Sequence, residues 1–319
     1  MKSISELSDF YYNELYPELE LLEKQRKQIL KRLFGFGALY FTITIVLAWF
    51  LYEKFSLPAT LFFSIVSLVG ASWLYNYLTK EYSLSFKNKI ITALIREIDE
   101  NLEYDPQKHI EKDLFRSSQL FANLAEKISG NDYVKGSIDG IPIRFSDIHA
   151  QTKRQDEKGN DLWETLFLGL FIVSEFPKNF HGQTVVLPDN AQKIFGELIG
   201  GWLQKSGSST SELVKMDNIE FEKEFVVYST DQIEARYILT PAMMQKLLNY
   251  KKKSKHPIYV SFIGGKIYLA IEYNRDMFEA SVFHSLLEYK IAQEYIETLH
   301  LAVGIVEELK LNQKLWSKL

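Results

Sequence analysis

The chain has no cysteine among its 319 residues. Disulfides, thiol nucleophiles, iron–sulfur clusters and cysteine-ligated zinc sites are all removed by that absence. A surplus of positive charge is also missing: 37 basic and 41 acidic residues leave a formal charge of −4. General nucleic-acid binding needs a strong basic excess, so nucleic acid is not an expected partner. There is no GxxxxGK[ST] loop, no GxGxxG turn after a strand, no HExxH and no GxSxG. Nucleotide-binding, zincin and nucleophile-elbow chemistry therefore lack their signatures. The region after the apolar segments shows no internal repeat. No cofactor and no metal is expected. With 46% hydrophobic and 24% charged residues, wholesale disorder is excluded.

Charge is absent from two long stretches. Leu33 to Tyr52 is 20 residues without a charge, and Phe55 to Thr79 is 25. A helix rises about 1.5 Å per residue, so about 20 residues cross a hydrocarbon core of roughly 30 Å. Trp49, Tyr52, Trp73, Tyr75 and Tyr77 lie near the ends of the stretches, where amphipathic rings favour the interface. The pattern predicts a two-helix transmembrane hairpin over 33–79, with spans at about 33–52 and 57–78. The alternative, a pair of buried core helices, fits poorly with so long an uncharged run. A cleavable signal peptide is not expected, because a charged 32-residue segment precedes the first span and a second span follows it.

Lys24, Arg26, Lys27, Lys31 and Arg32 precede the first span, and Lys80, Lys87 and Lys89 follow the second. The positive-inside rule puts both chain ends in the cytoplasm and the tip, with Lys54, outside. The five cations before the first span are also candidates for contact with anionic headgroups. Segment 1–32 reads as a juxtamembrane helix broken near Pro17, with Leu19, Leu22, Ile29 and Leu33 near one face. It serves either as a solvated lead-in to the span or as a partner-binding or self-associating coil.

Residues 80–104 read as a second juxtamembrane helix, ended by Asp105-Pro106. From 105 to 319 the chain reads as a soluble α+β domain. A short helix is predicted over Ile110–Ile128, broken by Ser129-Gly130-Asn131-Asp132. Asp139-Gly140 and Gly264-Gly265 each join two strand-like runs and predict tight hairpins. Gln151 to Asp161 reads as a polar loop, and Trp163 to Phe176 as a central strand with a bulge at Gly169. Gln183–Leu187 reads as a strand, Ala191–Gln204 as a helix and Ser206–Ser211 as a linker. Thr240-Pro241 is a strong helix start. An amphipathic helix is predicted over about Phe283–Lys314, its stripe running from Phe283 to Leu309. The fold class is thus α+β: a transmembrane hairpin, then a cytoplasmic domain with a mostly antiparallel sheet, flanking helices and a long C-terminal helix.

Candidate chemistry is sparse. Asp147 and His149 share a face of a predicted strand, with His181 able to approach through folding. Glu220, Glu222 and Glu224 alternate along another predicted strand, Ile219–Tyr228. A metal or acid–base site can be built from these residue types, whereas a solvated strand face needs nothing more than the same alternation. Lys251, Lys252, Lys253 and Lys255 form a basic run, either a solvated helix end or a contact for anionic lipid. Phe221, Phe225, Val227 and Tyr237 read as core. Arg236 is placed between apolar neighbours, paired with Glu222 or Glu224, or else binding a ligand.

Five blocks carry a resemblance: Leu114-Phe115-Arg116-Ser117-Ser118, Asp132-Tyr133-Val134-Lys135-Gly136, Phe167-Leu168-Gly169-Leu170-Phe171, the run from Glu220 to Ser229, and Ala235 to Pro241. With the basic N-terminal helix and the hairpin before them, they resemble the bacterial membrane family DUF3137, over most of the chain. The resemblance implies a bacterial inner-membrane protein and brings no established activity or catalytic residue. It also implies a LemA-type membrane companion, and hence an envelope-related protein partner. The leading expectation is a non-enzymatic, membrane-anchored interaction or scaffold module. The alternatives are a metal-dependent or acid–base hydrolase at the membrane surface and a sensor of anionic lipid; homo-oligomerisation stays open.

Overall fold

The computed structural model describes residues 2–54, 57–121, 125–155, 159–176, 178, 180–189 and 211–316. The helix expected at Ala191–Gln204 and nearly all of the Ser206–Ser211 linker lie outside these residues. The described chain forms two compact bodies that are not consecutive segments. One holds Ile95–Met277 and the chain from Glu297, the other Lys2–Leu94 with Phe278–Ile296.

In the second body, α1 (Ile4–Asn13) starts at a capping box in which Ser3 and Glu6 satisfy each other's amides. α2 runs unbroken from Tyr16 to Lys54. The expected break therefore falls at Glu14-Leu15, and Pro17 sits in the first turn of α2, where no amide partner is lost. α3 (Leu57–Phe86) passes through one π-helical turn, Lys87–Ile91, into α4 (Thr92–Ile98). The helix predicted to reach Tyr104 stops at Ile98, and Glu103–Asp105 is a strand, β1.

Two of these helices, Tyr16–Lys54 and the run Leu57–Ile98, are long and apolar enough to cross a membrane; their most apolar windows have mean hydropathy 1.9 and 1.7 and keep their large apolar side chains out of the core. Apolar surface of that extent suits a bilayer and associates the chain with one. Polar groups link the two helices. Tyr40 Oη donates to the Ser67 carbonyl at 2.7 Å, and Ser67 Oγ lies 3.2 Å from Thr44 Oγ1. In hydrocarbon such groups must find partners, and here they find each other.

The first body is built on a nine-stranded sheet in the order β1-β2-β3-β4-β9-β8-β5-β7-β6, antiparallel at every pair. Its strands are β2 (Lys127–Ile138), β3 (Ile141–Gln155), β4 (Asp161–Glu175), β5 (Thr184–Pro188), β6 (Glu212–Val214), β7 (Phe225–Ser229), β8 (Ile258–Ile263) and β9 (Lys266–Glu272). Both tight hairpins form where expected, with left-handed φ at Asp139 (52°), Gly140 (80°), Gly264 (59°) and Gly265 (70°).

Several expectations are corrected here. The helix predicted over Ile110–Ile128 is only α5 (Lys112–Ser117), and the supposed breaker Ser129–Asp132 lies inside β2. Asp132 takes a left-handed φ of 59° at an irregularity between Asn131 and Val134, so the chain bulges instead of ending. The supposed polar loop 151–161 is largely strand, with Arg154 opposite Leu162. The bulge of β4 sits at Leu166, skipped between the pairs Ala150–Phe167 and Gln151–Thr165. Gly169 has a different role: a Cβ there would stand 2.1 Å from the Ile271 carbonyl oxygen, so only glycine lets β9 come that close.

One sheet face packs Phe115, Phe121, Phe167, Phe171, Tyr259 and Tyr268 into a single cluster. Phe115 and Phe171 rings meet at 4.8 Å, and Phe121 and Phe167 at 5.0 Å. Leu170, Ile172, Leu269 and Ile271, of opposite parity, are buried too, so the central strands are covered on both faces. The C-terminal helix α9 runs Tyr289–Trp316, later than the expected Phe283 start. Its stripe is buried at Tyr295, Leu299 and Ala302; the side chains of Val306 and Leu309 lie outside the described residues.

Candidate functional site

The basic run sits at the end of α8 (Pro241–Ser254). Thr240 caps its start, accepting from the Met243 amide with Pro241 behind it, as the sequence predicts. Its other end closes at Lys255, whose amide bonds the Lys251 carbonyl and whose left-handed φ of 58° turns the chain out of the helix. Ser254 Oγ then donates to the Lys251 carbonyl at 3.0 Å and accepts from the His256 amide at 3.3 Å, fixing the turn.

Opposite this turn lies the block before β7. Asn218 caps a single helical turn, α6 (Ile219–Glu222), by accepting from the Phe221 amide at 3.0 Å. Glu220, Glu222 and Glu224 therefore do not line one strand face. Glu222 accepts from the Met216 amide at 2.8 Å, Glu220 pairs with Lys252 at 3.1 Å, and Glu224 pairs with Lys251. Phe221, Phe225 and Val227 are core as expected.

Between the turn and the block opens a cleft of about 500 Å³. Its charged walls are Asp189, Lys223, Glu224, Lys251, Lys252 and Lys255, with His256 at one side. Four lysines thus face two carboxylates. Lys251 lies 5.6 Å from the Phe225 ring centre, and desolvation lowers its pKa while Asp189 pulls the other way. His256 packs on Tyr273 at 4.5 Å and is held below its usual pKa, first by burial and then by Arg275. Sequence reasoning singled out Glu224, Lys251, Lys252 and Lys255 but missed Asp189 and Lys223, which lie far from the run along the chain, and His256, which directly follows it. Lys253 is exposed and does not line the cleft.

The proposed partnership of Asp147 and His149 with the glutamates is not assembled. β3 and β7 are five strands apart in the sheet, about 24 Å at roughly 4.8 Å per strand. Asp147 is fully buried and accepts from the Met277 amide at 2.6 Å, while His149 bonds Thr165 at 2.9 Å. His181 offers its amide to Glu234 at 3.0 Å. Among the described residues no three His, Asp or Glu side chains are grouped to hold a metal.

Arg236 and Tyr237 are corrected as well. They lie on α7 (Gln232–Ile238), where both are exposed. Arg236 donates to the Gln232 carbonyl at 3.1 Å and the Lys215 carbonyl at 3.2 Å, pinning α7 to the chain after β6. Neither glutamate is its partner in these bonds. The cause is the turn at Asn218, which sends the acids toward α8.

Of the cations before the first span, Lys24, Lys27, Lys31 and Arg32 are exposed, as headgroup contact requires. Arg26 is not. It is 8% exposed, donates to both oxygens of Glu23 at 2.7 and 2.8 Å, and reaches the Val282 carbonyl at 2.8 Å. Ser285 Oγ completes Glu23 at 2.9 Å. Tyr11 Oη donates to the Leu286 carbonyl at 2.9 Å, and Lys87 pairs with Glu279. Residues 279–286 are thereby strapped to α1, α2 and the π turn. The strap carries no periodic pattern, so nothing in the local sequence signals it.

Residues 165–311 match the model of the family described as "Protein of unknown function (DUF3137)". That stretch is similar to the DUF3137 family. The match starts within β4 and takes in the basic cleft, the strap and most of α9. It is narrower than the resemblance read from the sequence, whose blocks at Leu114 and Asp132 lie outside it. No curated protein matches the chain. The crystal structure of the mycobacterial trehalose monomycolate transport factor A, TtfA, is similar at a TM-score of 0.34 and 10% identity, over 64% of this chain and 88% of that one. So distant a likeness carries no argument.

Proposed function

We propose that this protein is a membrane-anchored module that captures another membrane protein at the cytoplasmic face of a bacterial inner membrane. The two helices form a hairpin anchor with both chain ends cytoplasmic, as the basic flanks Lys24–Arg32 and Lys80–Lys89 favour. The observation that carries the capture reading is apolar surface around β6. Ile219 and Ile233 are 74% and 81% exposed, and Leu213 and Tyr237 are exposed beside them in sequence. Gln232 bonded to Glu212 at 2.7 Å, together with Arg236 on Lys215, joins α7, which carries Ile233 and Tyr237, to the β6 segment that carries Leu213. Exposed apolar side chains gathered in this way mark interaction sites. Anchoring raises the encounter rate with other membrane proteins by confining the domain to the same surface. A LemA-type protein is the partner we favour.

A photo-crosslinking residue at Ile233, irradiated in intact membranes, tests this. One reproducible heterologous product is expected, and it is lost in Ile219→Asp. Recovery of no product, or of a second copy alone, would defeat the reading. The basic cleft supports a second reading, recognition of an anionic headgroup or other phosphate-bearing ligand. Replacing Lys223 and Lys255 with Gln should then weaken binding to phosphatidylglycerol vesicles; unchanged binding removes it.

A further inference from the structure

The end of the hairpin nearest the basic segment holds a groove of about 390 Å³ between α2 and α3. Phe34, Gly37 and Ala38 form one wall, Ala71 and Tyr75 the other. Phe283, from the strap, closes the third side, its ring stacked on Tyr75 at 6.2 Å with an interplanar angle of 5°. The volume is within the range of about 300–1,000 Å³ that ligand pockets occupy. A Cβ at Gly37 would meet nothing within 4 Å, so the groove is open at that point and not filled by a neighbour.

We infer that this groove holds one acyl chain of an anionic phospholipid, with its phosphate on Lys27 and Lys31. The inference rests on the reading of the two helices as membrane spans. Two observations select this occupant. First, every wall on α2 and α3 belongs to the two helices whose apolar windows are unburied, so acyl chains are the groove's surroundings. Second, Lys27 and Lys31 precede Leu30 and Phe34 by three residues each, which places them on the same side of α2, about 4.5 Å further along its axis. Both are exposed, and the Lys27 side chain is 66% accessible. A phosphate at that level meets two cations. A second copy of the chain fits less well, because a two-fold contact there brings the same cations against each other. The strap adds specificity: Phe283 reaches the groove because Arg26 and Ser285 hold the backbone on either side of it.

The test uses the full chain in phosphatidylcholine vesicles containing phosphatidylglycerol with a photo-reactive group in one acyl chain. Extraction with alkaline carbonate is done first; a protein released by it is not membrane-spanning, and the span reading fails together with the groove. For inserted protein, crosslinks should concentrate within 34–41, 71–75 and around Phe283. Gly37→Leu should fill the groove and cut those crosslinks at least tenfold, and Ala71→Leu should do the same from the other wall. Lys27→Gln and Lys31→Gln should each lower the preference for phosphatidylglycerol over a photo-reactive phosphatidylcholine by about fivefold. Crosslinks spread evenly along both spans, or unaltered in Gly37→Leu, would overturn the assignment. So would a photo-reactive residue at Phe34 that captures a second copy of the chain in place of lipid.

Discussion

Arg26→Met should release the strap. The guanidinium makes two bonds to Glu23 and one to the Val282 carbonyl, and all three are lost. Removing one member of a buried ion pair costs about 3–5 kcal/mol, since the other charge stays behind. The lower end applies, because Lys27 remains 3.6 Å from the Glu23 carboxylate and Ser285 still donates to it. About 3 kcal/mol corresponds to roughly 150-fold in an opening equilibrium. Hydrogen exchange followed by mass spectrometry reads this directly: amides within 278–288 should exchange about 150-fold faster, and those of β8 and β9 should not change. Leu and Met in place of Glu23 and Arg26 together remove both charges, and this pair should recover most of the protection. Arg26 holds Glu23 below its ordinary pKa, first through their hydrogen bond. The unfolded carboxylate therefore takes up its proton first, and the clamp should weaken as pH falls below about 4.5. Exchange in Arg26→Met within threefold of the parent would refute the reasoning.

Three further outcomes follow from the first body. Gly169→Ala drives a methyl group into the Ile271 carbonyl and should destabilise by about 1–3 kcal/mol, read as a lower melting temperature in detergent. Thr240→Ala removes the cap on the Met243 amide and should cost about 1 kcal/mol in denaturant titration. Lys178 is 5% exposed, and desolvation pushes its pKa down to about 8 from 10.5. Between those values the unfolded chain binds the proton that the folded chain has lost, so stability relative to Lys178→Met should rise from pH 8 to 10. A difference flat across that range would contradict it.

The parts of this fold legible in the sequence are those set by local pattern. The two uncharged runs, the turns at Asp139-Gly140 and Gly264-Gly265, and the start at Thr240-Pro241 each declare themselves within a few residues. The antiparallel sheet follows from its hairpins. What could not be read depends on partners distant in sequence. The alternation of Glu220, Glu222 and Glu224 imitates a strand, yet Asn218 caps a helical turn there, with two acids in its first turn. Asp132 looks like a breaker because its left-handed φ suits a turn, but β3 pairs on both sides of it. Arg26 reads as one of a basic cluster. Its spacing of four from Leu22 and seven from Leu19 nevertheless puts it on the buried stripe. The basic cleft assembles Asp189, Lys223 and Lys251 from three separate elements, and local pattern shows only the part on the lysine run.

The missing cysteines allow the central claim, an anchor with both ends cytoplasmic, to be measured cleanly. Single cysteines are introduced as Glu53→Cys at the hairpin tip and Lys253→Cys at the end of α8, against a background with no other thiol. Intact cells are treated with a membrane-impermeant maleimide. Labelling at position 53 without lysis, and at 253 only after lysis, is the result expected. Labelling at 253 in intact cells, or at 53 only after lysis, would contradict the account.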